Sequence, residues 1–134
     1  MSKNRIYIDL KDLSILVVDD MKSMRLTLRK MLQNLNVGKK LRFAENGKEG
    51  LEILRSTQFD LVFIDWNMPV MSGRETLYNL RELNKKVKIL VLIKFEKKDS
   101  VMEAVDMGAT NYMLKPFRVN DLQDKIKEVI ENAV

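Results

Sequence analysis

Neither cysteine nor histidine occurs anywhere in the chain. Disulfides, thiol nucleophiles, Cys/His zinc sites and every triad built on imidazole are therefore excluded. The chain cannot carry a phosphohistidine either. Any chemistry falls to carboxylates, lysine, hydroxyls or a hard metal ion. Long apolar runs are missing too: no stretch approaches the ~18 residues of a membrane span. The opening residues, MSKNRIYIDLKDLS, hold no apolar core long enough for a signal peptide. The expectation is a cytoplasmic protein with no membrane partner.

What is present is the composition of a soluble globular domain, with 134 residues, 46% apolar and 32% charged. One domain is expected, large enough to bury a core without staples. Net charge is +5, which favours acidic partners and raises nucleic acid as a candidate. The Lys and Arg residues read as scattered, and the densest stretch, Lys85 to Lys98, is interrupted by a strand. With no reader motif or aromatic stacking platform, a solvated basic surface is expected, and no nucleic-acid partner.

Strands and helices alternate along the chain. Leu13–Val18 is an apolar run, apart from Ser14, that ends in Asp19-Asp20. Met21, Met24, Leu28, Met31, Leu32 and Leu35 then follow helical spacing, with Gly38 read as the cap. Leu41-Arg42-Phe43 alternates as a half-covered edge strand should. Asn46 and Glu49 read as a capping pair for a helix with Leu51, Ile53 and Leu54. Leu61–Ile64 is a second buried run, ending in Asp65, and Pro69 and Gly73 break the loop behind it. A helix carrying Leu77, Leu80 and Leu83 follows, then the buried run Ile89–Ile93. A helix over Ser100–Met107 stops at Gly108, and Thr110–Leu114 is a short strand before Lys115-Pro116. Asn120 is read as the cap of a last helix with Leu122, Ile126, Val129, Ile130 and Ala133 inward.

Five β/α units with apolar strands predict an α/β fold, a parallel sheet covered by helices on both faces. Residues 1–11 read as a short N-terminal extension, in which Ile6, Tyr7 and Ile8 could pack on the domain, and residues 12–134 as the domain itself. The last helix runs to the end of the sequence, leaving no expected output domain behind it.

Open parallel sheets hold their sites at the carboxyl ends of strands, where strand order reverses. In the order 2-1-3-4-5 that point lies between strands 1 and 3, the strands that end in Asp19-Asp20 and Asp65. Three carboxylates converging there repel one another without a cation, and magnesium, with its preference for carboxylate and water oxygens, relieves this. Taken singly, Asp19 or Asp20 could simply cap the first helix and Asp65 could be a turn residue. Lys115 ends strand 5, where a lysine is a point charge for a phosphoryl oxygen or an ordinary exposed lysine. The following Pro116 suggests a cis bond that aims it inward.

Asp19-Asp20, the run Asp65-Trp66-Asn67-Met68-Pro69 with Gly73, and Lys115-Pro116-Phe117 together resemble the receiver domains of two-component response regulators. The likeness extends from about Leu13 to Val134, and is nearest to CheY-like stand-alone receivers. It implies a flavodoxin-like (βα)5 fold and a phosphoacceptor signalling module rather than an enzyme. Asp65 would take a phosphoryl group from the phosphohistidine of a histidine kinase or phosphotransfer protein. Asp20 and Asp65 would bind Mg2+, or Mn2+ in its place, with Asp19 acting partly through water and the Asn67 backbone carbonyl as a further ligand. Lys115 would bridge Asp65 and the phosphoryl oxygens, and Tyr112 matches the aromatic switch position. The face of helix 4, strand 5 and helix 5 would meet a downstream protein, as a monomer or weak dimer.

One position departs from the family. Receivers carry Ser or Thr at the end of strand 4, and here that position is Ile93, followed by Lys94 where a small residue is usual. No Ser or Thr occurs between Thr76 and Ser100. The acid half of the site is intact and the transmission half is altered. Two readings stand: phosphorylation persists with Lys94 or a backbone N–H in the hydroxyl's place, or the domain is a pseudo-receiver that binds proteins without phosphorylation.

Overall fold

The computed structural model describes residues 7–130 and 133. Ten elements alternate: β1 (Ser14–Val18), α1 (Lys22–Asn34), β2 (Lys40–Ala44), α2 (Gly47–Ser56), β3 (Leu61–Asp65), α3 (Gly73–Leu83), β4 (Lys88–Lys94), α4 (Val101–Asp106), β5 (Asn111–Lys115) and α5 (Val119–Val129). The five strands form one parallel sheet in the order β2-β1-β3-β4-β5. This is the predicted flavodoxin-like sandwich.

The alternation of side chains along each strand divides the core into two layers. Leu16, Val18, Val62, Ile64, Val91 and Ile93 pack with Leu77 and Leu80 of α3 and Leu51 of α2. Ile15, Val17, Phe63 and Leu92 face the other way, against Leu28 and Leu32 of α1 and Leu122 and Ile126 of α5. Central strands buried on both faces must be apolar throughout, which is why their runs were unbroken in the sequence. The edge strand β2 instead alternates exposed Lys40 and Arg42 with half-buried Leu41 and Phe43.

Local chemistry sets the helix ends, and two caps differ from expectation. Asn46 caps α2 by accepting the Glu49 N–H at 2.8 Å, as read. Gly38 does not cap α1. Asn36, with φ of 54°, takes the left-handed position. The Asn36 N–H then reaches the Gln33 carbonyl and the Val37 N–H the Leu32 carbonyl, a Schellman motif closed by the buried pair Leu32 and Val37. Gly38, with φ of 87°, serves the next turn and donates to the Leu10 carbonyl. Likewise Asn120 lies inside α5. Arg118 is the cap residue, and its N–H is taken by the Asp121 carboxylate at 3.0 Å.

Two residues read as inward face water: Met21, before α1, and Leu83, in the last turn of α3. Both sit at helix ends, where periodicity has no neighbouring turn to enforce it. Before β1, Leu10 is buried in a short 3-10 turn, Leu10–Asp12, whereas Tyr7 and Ile8 are exposed. Ile6 lies outside the described residues.

The loop from Asp65 to Gly73 folds back against its own strand. The Gly73 N–H donates to the Trp66 carbonyl at 3.0 Å, and a Cβ on Gly73 would overlap the Asp65 carbonyl oxygen and the Trp66 Cα. In the same loop Val70 is exposed with φ of 67°, a region that a β-branched residue enters only under strain. Gly73→Ala is therefore expected to destabilise the domain by about 2–3 kcal/mol through backbone overlap. Val70→Gly should stabilise it by about 0.5–1 kcal/mol, by relieving left-handed strain of about 1–2 kcal/mol against the entropy of a glycine. Urea unfolding of both variants checks the opposite signs.

Candidate phosphoacceptor and metal site

β1 and β3 lie side by side and end level with each other, so Asp19, Asp20 and Asp65 emerge at one edge of the sheet. Each offers a carboxylate oxygen, and the three oxygens lie within 4.8 Å of one another. Asp19 and Asp65 are buried, and Asp20 is half-buried. The sequence brings none of them within forty residues of the other strand's end; the parallel register does.

Lys115 reaches in from β5. The Lys115–Pro116 bond is cis. The ammonium stands 3.1 Å from Asp65 Oδ1 and 3.4 Å from Asp19 Oδ2, one cation shared by two buried acids. Backbone groups add to this. The Met21 N–H donates to Asp19 Oδ1 at 2.9 Å and the Asn67 N–H to Asp65 Oδ1 at 3.3 Å. The helix-cap reading of Asp19 is thus real in part, because its carboxylate does hold the N–H at the start of α1. Arg25 was missed in the sequence. Its guanidinium donates to the Asp19 carbonyl at 2.7 Å and lies 3.9 Å from Glu45, pinning the backbone of the acid pair. Its place one turn into α1, on the flank facing the strand ends, was the available signal.

These contacts do not neutralise the pocket. Burial pushes the Asp65 carboxyl up to about 6, Asp19 adds to the rise, and Lys115 and the Asn67 N–H only partly offset it. Burial likewise raises Asp19, against the Met21 N–H and Lys115. Among the described residues two buried side-chain oxygens, Asp20 Oδ1 and Asn67 Oδ1, have no hydrogen-bond partner. A buried oxygen without a partner is costly, and one on a carboxylate beside two others is what a hard cation takes up. The donor set therefore fits Mg2+, which would be held by carboxylates of Asp19, Asp20 and Asp65.

The other expected site residues lie nearby but outside this cluster. In the sheet register Asp65 is paired with Leu92 and Lys94 with Lys115. Ile93 is wholly buried in the apolar layer with Ile64 and Ala104. Lys94 is exposed. Behind it the chain makes a 3-10 turn, Phe95–Ser100, kinked at Lys97, with the Lys98 ammonium 4.6 Å above the ring of Phe95. Tyr112 is half-buried, with Lys125 5.4 Å from its ring.

Comparison with known proteins agrees with this geometry. The family model described as Response regulator receiver domain matches residues 15–127. Chemotaxis protein CheY-3 of Vibrio cholerae serotype O1 is 33% identical over 123 residues, covering 90% of this chain and 94% of that one. Chemotaxis protein CheY of Pseudomonas aeruginosa is 34% identical, covering 90% and 98%. Among solved structures, TrrA of Thermotoga maritima in complex with Mg2+ and BeF is 32% identical with a TM-score of 0.79, covering 89% of this chain and all of that one.

The raised Asp65 carboxyl has a definite sign. The folded state holds this proton up to about pH 6, whereas the unfolded chain loses it near 3.8. The stability that Asp65 contributes is thus complete below its unfolded value and is lost as pH rises through about 6. In EDTA at pH 7.5, Asp65→Asn is expected to be more stable than the wild type, by about 1–3 kcal/mol, and the gap should close towards pH 4. Urea unfolding at the two pH values measures this, and an asparagine variant that is less stable at pH 7.5 contradicts it. Trp66, almost fully buried beside Asp65, should report Mg2+ by a saturable change in fluorescence that Asp20→Asn weakens.

Proposed function

The chain belongs to the response regulator receiver family, and we propose that within it Asp65 accepts a phosphoryl group from a histidine kinase or phosphotransfer protein, after which the domain signals by contact with a downstream protein. The observation that carries this reading is the triad of carboxylates at adjoining strand ends with Lys115 between two of them. In the transfer a P–N bond to the donor imidazole breaks and a P–O bond to Asp65 forms. Such a transfer demands positioning and charge neutralisation more than acid–base groups. Asp65 supplies the oxygen, the backbone N–H of Asn67 steadies it, and Lys115 meets the oxygens of the arriving group. Mg2+, or Mn2+, would be held by Asp19, Asp20, Asp65 and the Asn67 backbone carbonyl, and when bound it supplies the charge that offsets carboxylates and phosphoryl oxygens. The Mg2+–BeF complex of the TrrA relative supports this assignment.

The module is a phosphoacceptor, with slow self-dephosphorylation as its only catalysis. We read residues 1–11 as an extension and residues 12–134 as the receiver. Buried Leu10, whose carbonyl accepts the Gly38 N–H, supports an extension tied down at its end. The relatives' names support a role in chemotaxis, and we place the domain in the cytoplasm as receivers typically are. Among the described residues no helix is long and apolar enough to cross a membrane. The face of α4, β5 and α5 is the proposed output surface. Phe95, Met102 and Val105 are exposed on or just before α4, and Lys97, Lys98 and Arg118 flank the face, favouring an acidic partner segment.

Ile93 sets how phosphorylation is transmitted. A strand-end hydroxyl bonded to a charged phosphoryl oxygen is worth roughly 1.5–3 kcal/mol, enough to shift a two-state loop about tenfold or more. Isoleucine offers no such bond, and its complete burial favours an apolar anchor for the loop behind it. Lys94, exposed one residue on, supplies charge in its place but fixes geometry poorly. This favours weak coupling between Asp65 and Tyr112. It also keeps open a second reading, a protein-interaction module that works without phosphorylation.

Acetyl phosphate with Mg2+ should add one phosphoryl mass to the wild type and none to Asp65→Asn. Equal labelling of both moves the acceptor elsewhere, and no labelling of either favours the second reading. Beryllofluoride should shift the NMR signals of residues 93–98 and Tyr112 little in the wild type and more in Ile93→Thr. Large, saturating shifts in the wild type that the threonine does not increase would show Ile93 to be a neutral substitution.

A further inference from the structure

Positive charge stands without any acid along one segment of the chain. Residues 21–44, which form α1 and β2, hold seven Lys and Arg residues and no Asp or Glu. The chain's net charge is +5, so this segment's +7 leaves the rest of the protein at −2. Unlike the other basic stretch, Lys85 to Lys98, which includes Glu96, this helix and edge strand carry cations with no acid among them.

Folding concentrates it further. Lys22, Arg25, Leu26 and Arg29 follow the i, i+3, i+4, i+7 spacing that lines up one flank of a helix. Together with Phe43 of β2 they line a shallow recess of about 140 Å³. Leu26 is 45% exposed at its wall. Arg25 is engaged by Glu45, but among the described residues no acidic side chain pairs with Lys22 or Arg29. β2 is the terminal strand of the sheet, so the recess opens directly to solvent.

We propose that the α1–β2 face is a docking surface for an acidic protein segment that carries an aliphatic side chain, seated between Leu26 and Phe43. Charge complementarity selects the acidic character, because a cluster of unpaired cations attracts anions and rejects cationic segments. The apolar wall selects protein over nucleic acid. A phosphate backbone needs no apolar recess, and one half-buried aromatic makes no platform for successive bases. This surface lies across the molecule from β5 and the output face proposed above, so it serves a separate contact. It does not depend on whether Asp65 is phosphorylated.

The test uses the whole protein and two probes, a peptide of alternating glutamate and leucine and a 20-base-pair DNA duplex. The peptide is expected to bind with NMR shifts centred on Leu26, Arg29 and Phe43. Affinity should fall as salt rises, and Lys22→Glu with Arg29→Glu should weaken it by about tenfold or more, a loss of about 1.4 kcal/mol. Leu26→Ala should weaken it about threefold or more by removing apolar contact. Circular dichroism and labelling by acetyl phosphate establish that the variants are folded and keep the Asp65 site. Tighter binding of DNA than of the peptide at this face, shifts centred instead on residues 93–98 and Tyr112, affinity indifferent to the charge reversal, or no peptide binding at all would each overturn the proposal.

Discussion

Like charges held close together and out of water are the constraint on which this molecule turns. Asp19 and Asp65 are buried, and Asp20 leaves one oxygen unpaired. A single ammonium, from Lys115, stands between two of the three. Everything nearby follows from keeping that arrangement in place. The Arg25 guanidinium holds the Asp19 backbone, the Met21 and Asn67 N–H groups hold two carboxylate oxygens, and Gly73 lets the loop close over the strand end without overlap. The pocket is under-neutralised by construction, which makes it receptive to a cation and, with one bound, to a phosphoryl group.

The apolar layers make such a site affordable. Three central strands are buried on both faces, so their ends cannot drift apart without opening two cores at once. Rigid strands deliver the acids; loops that hold little of the core carry the consequences. Ile93 is wholly buried in the apolar layer and so belongs to the scaffold.

Charge is divided in the same way. Acids gather at the carboxyl end of the sheet, and cations gather on α1 and β2 along one side. The two meet at Arg25, which lines the basic recess and grips the Asp19 carbonyl. A module of this size can thus present a chemically distinct surface on each side while its net charge stays modest.

Most of the fold was legible because its signals are local and repeated. Apolar runs, broken only by Ser14 in β1, marked β1, β3 and β4, helical spacing marked α1 and α5, and Asn46 with Glu49 marked the start of α2. Helix ends were less legible. Asn36 in the left-handed position and Asp121 reaching back to Arg118 depend on where the chain goes next, and Met21 lacked a preceding turn and Leu83 a following one to bury them. Of the site, the sequence by itself determined the chemical inventory, carboxylates and a lysine with no imidazole or thiol, and the strand ends on which they stand. Only the tertiary structure decided that Lys115 lies between Asp19 and Asp65, that Arg25 grips the acid pair, and that Ile93 turns into the core. Those facts depend on the parallel register and on the packing of helices from distant parts of the chain, and no local pattern encodes a distance between residues brought together across a sheet.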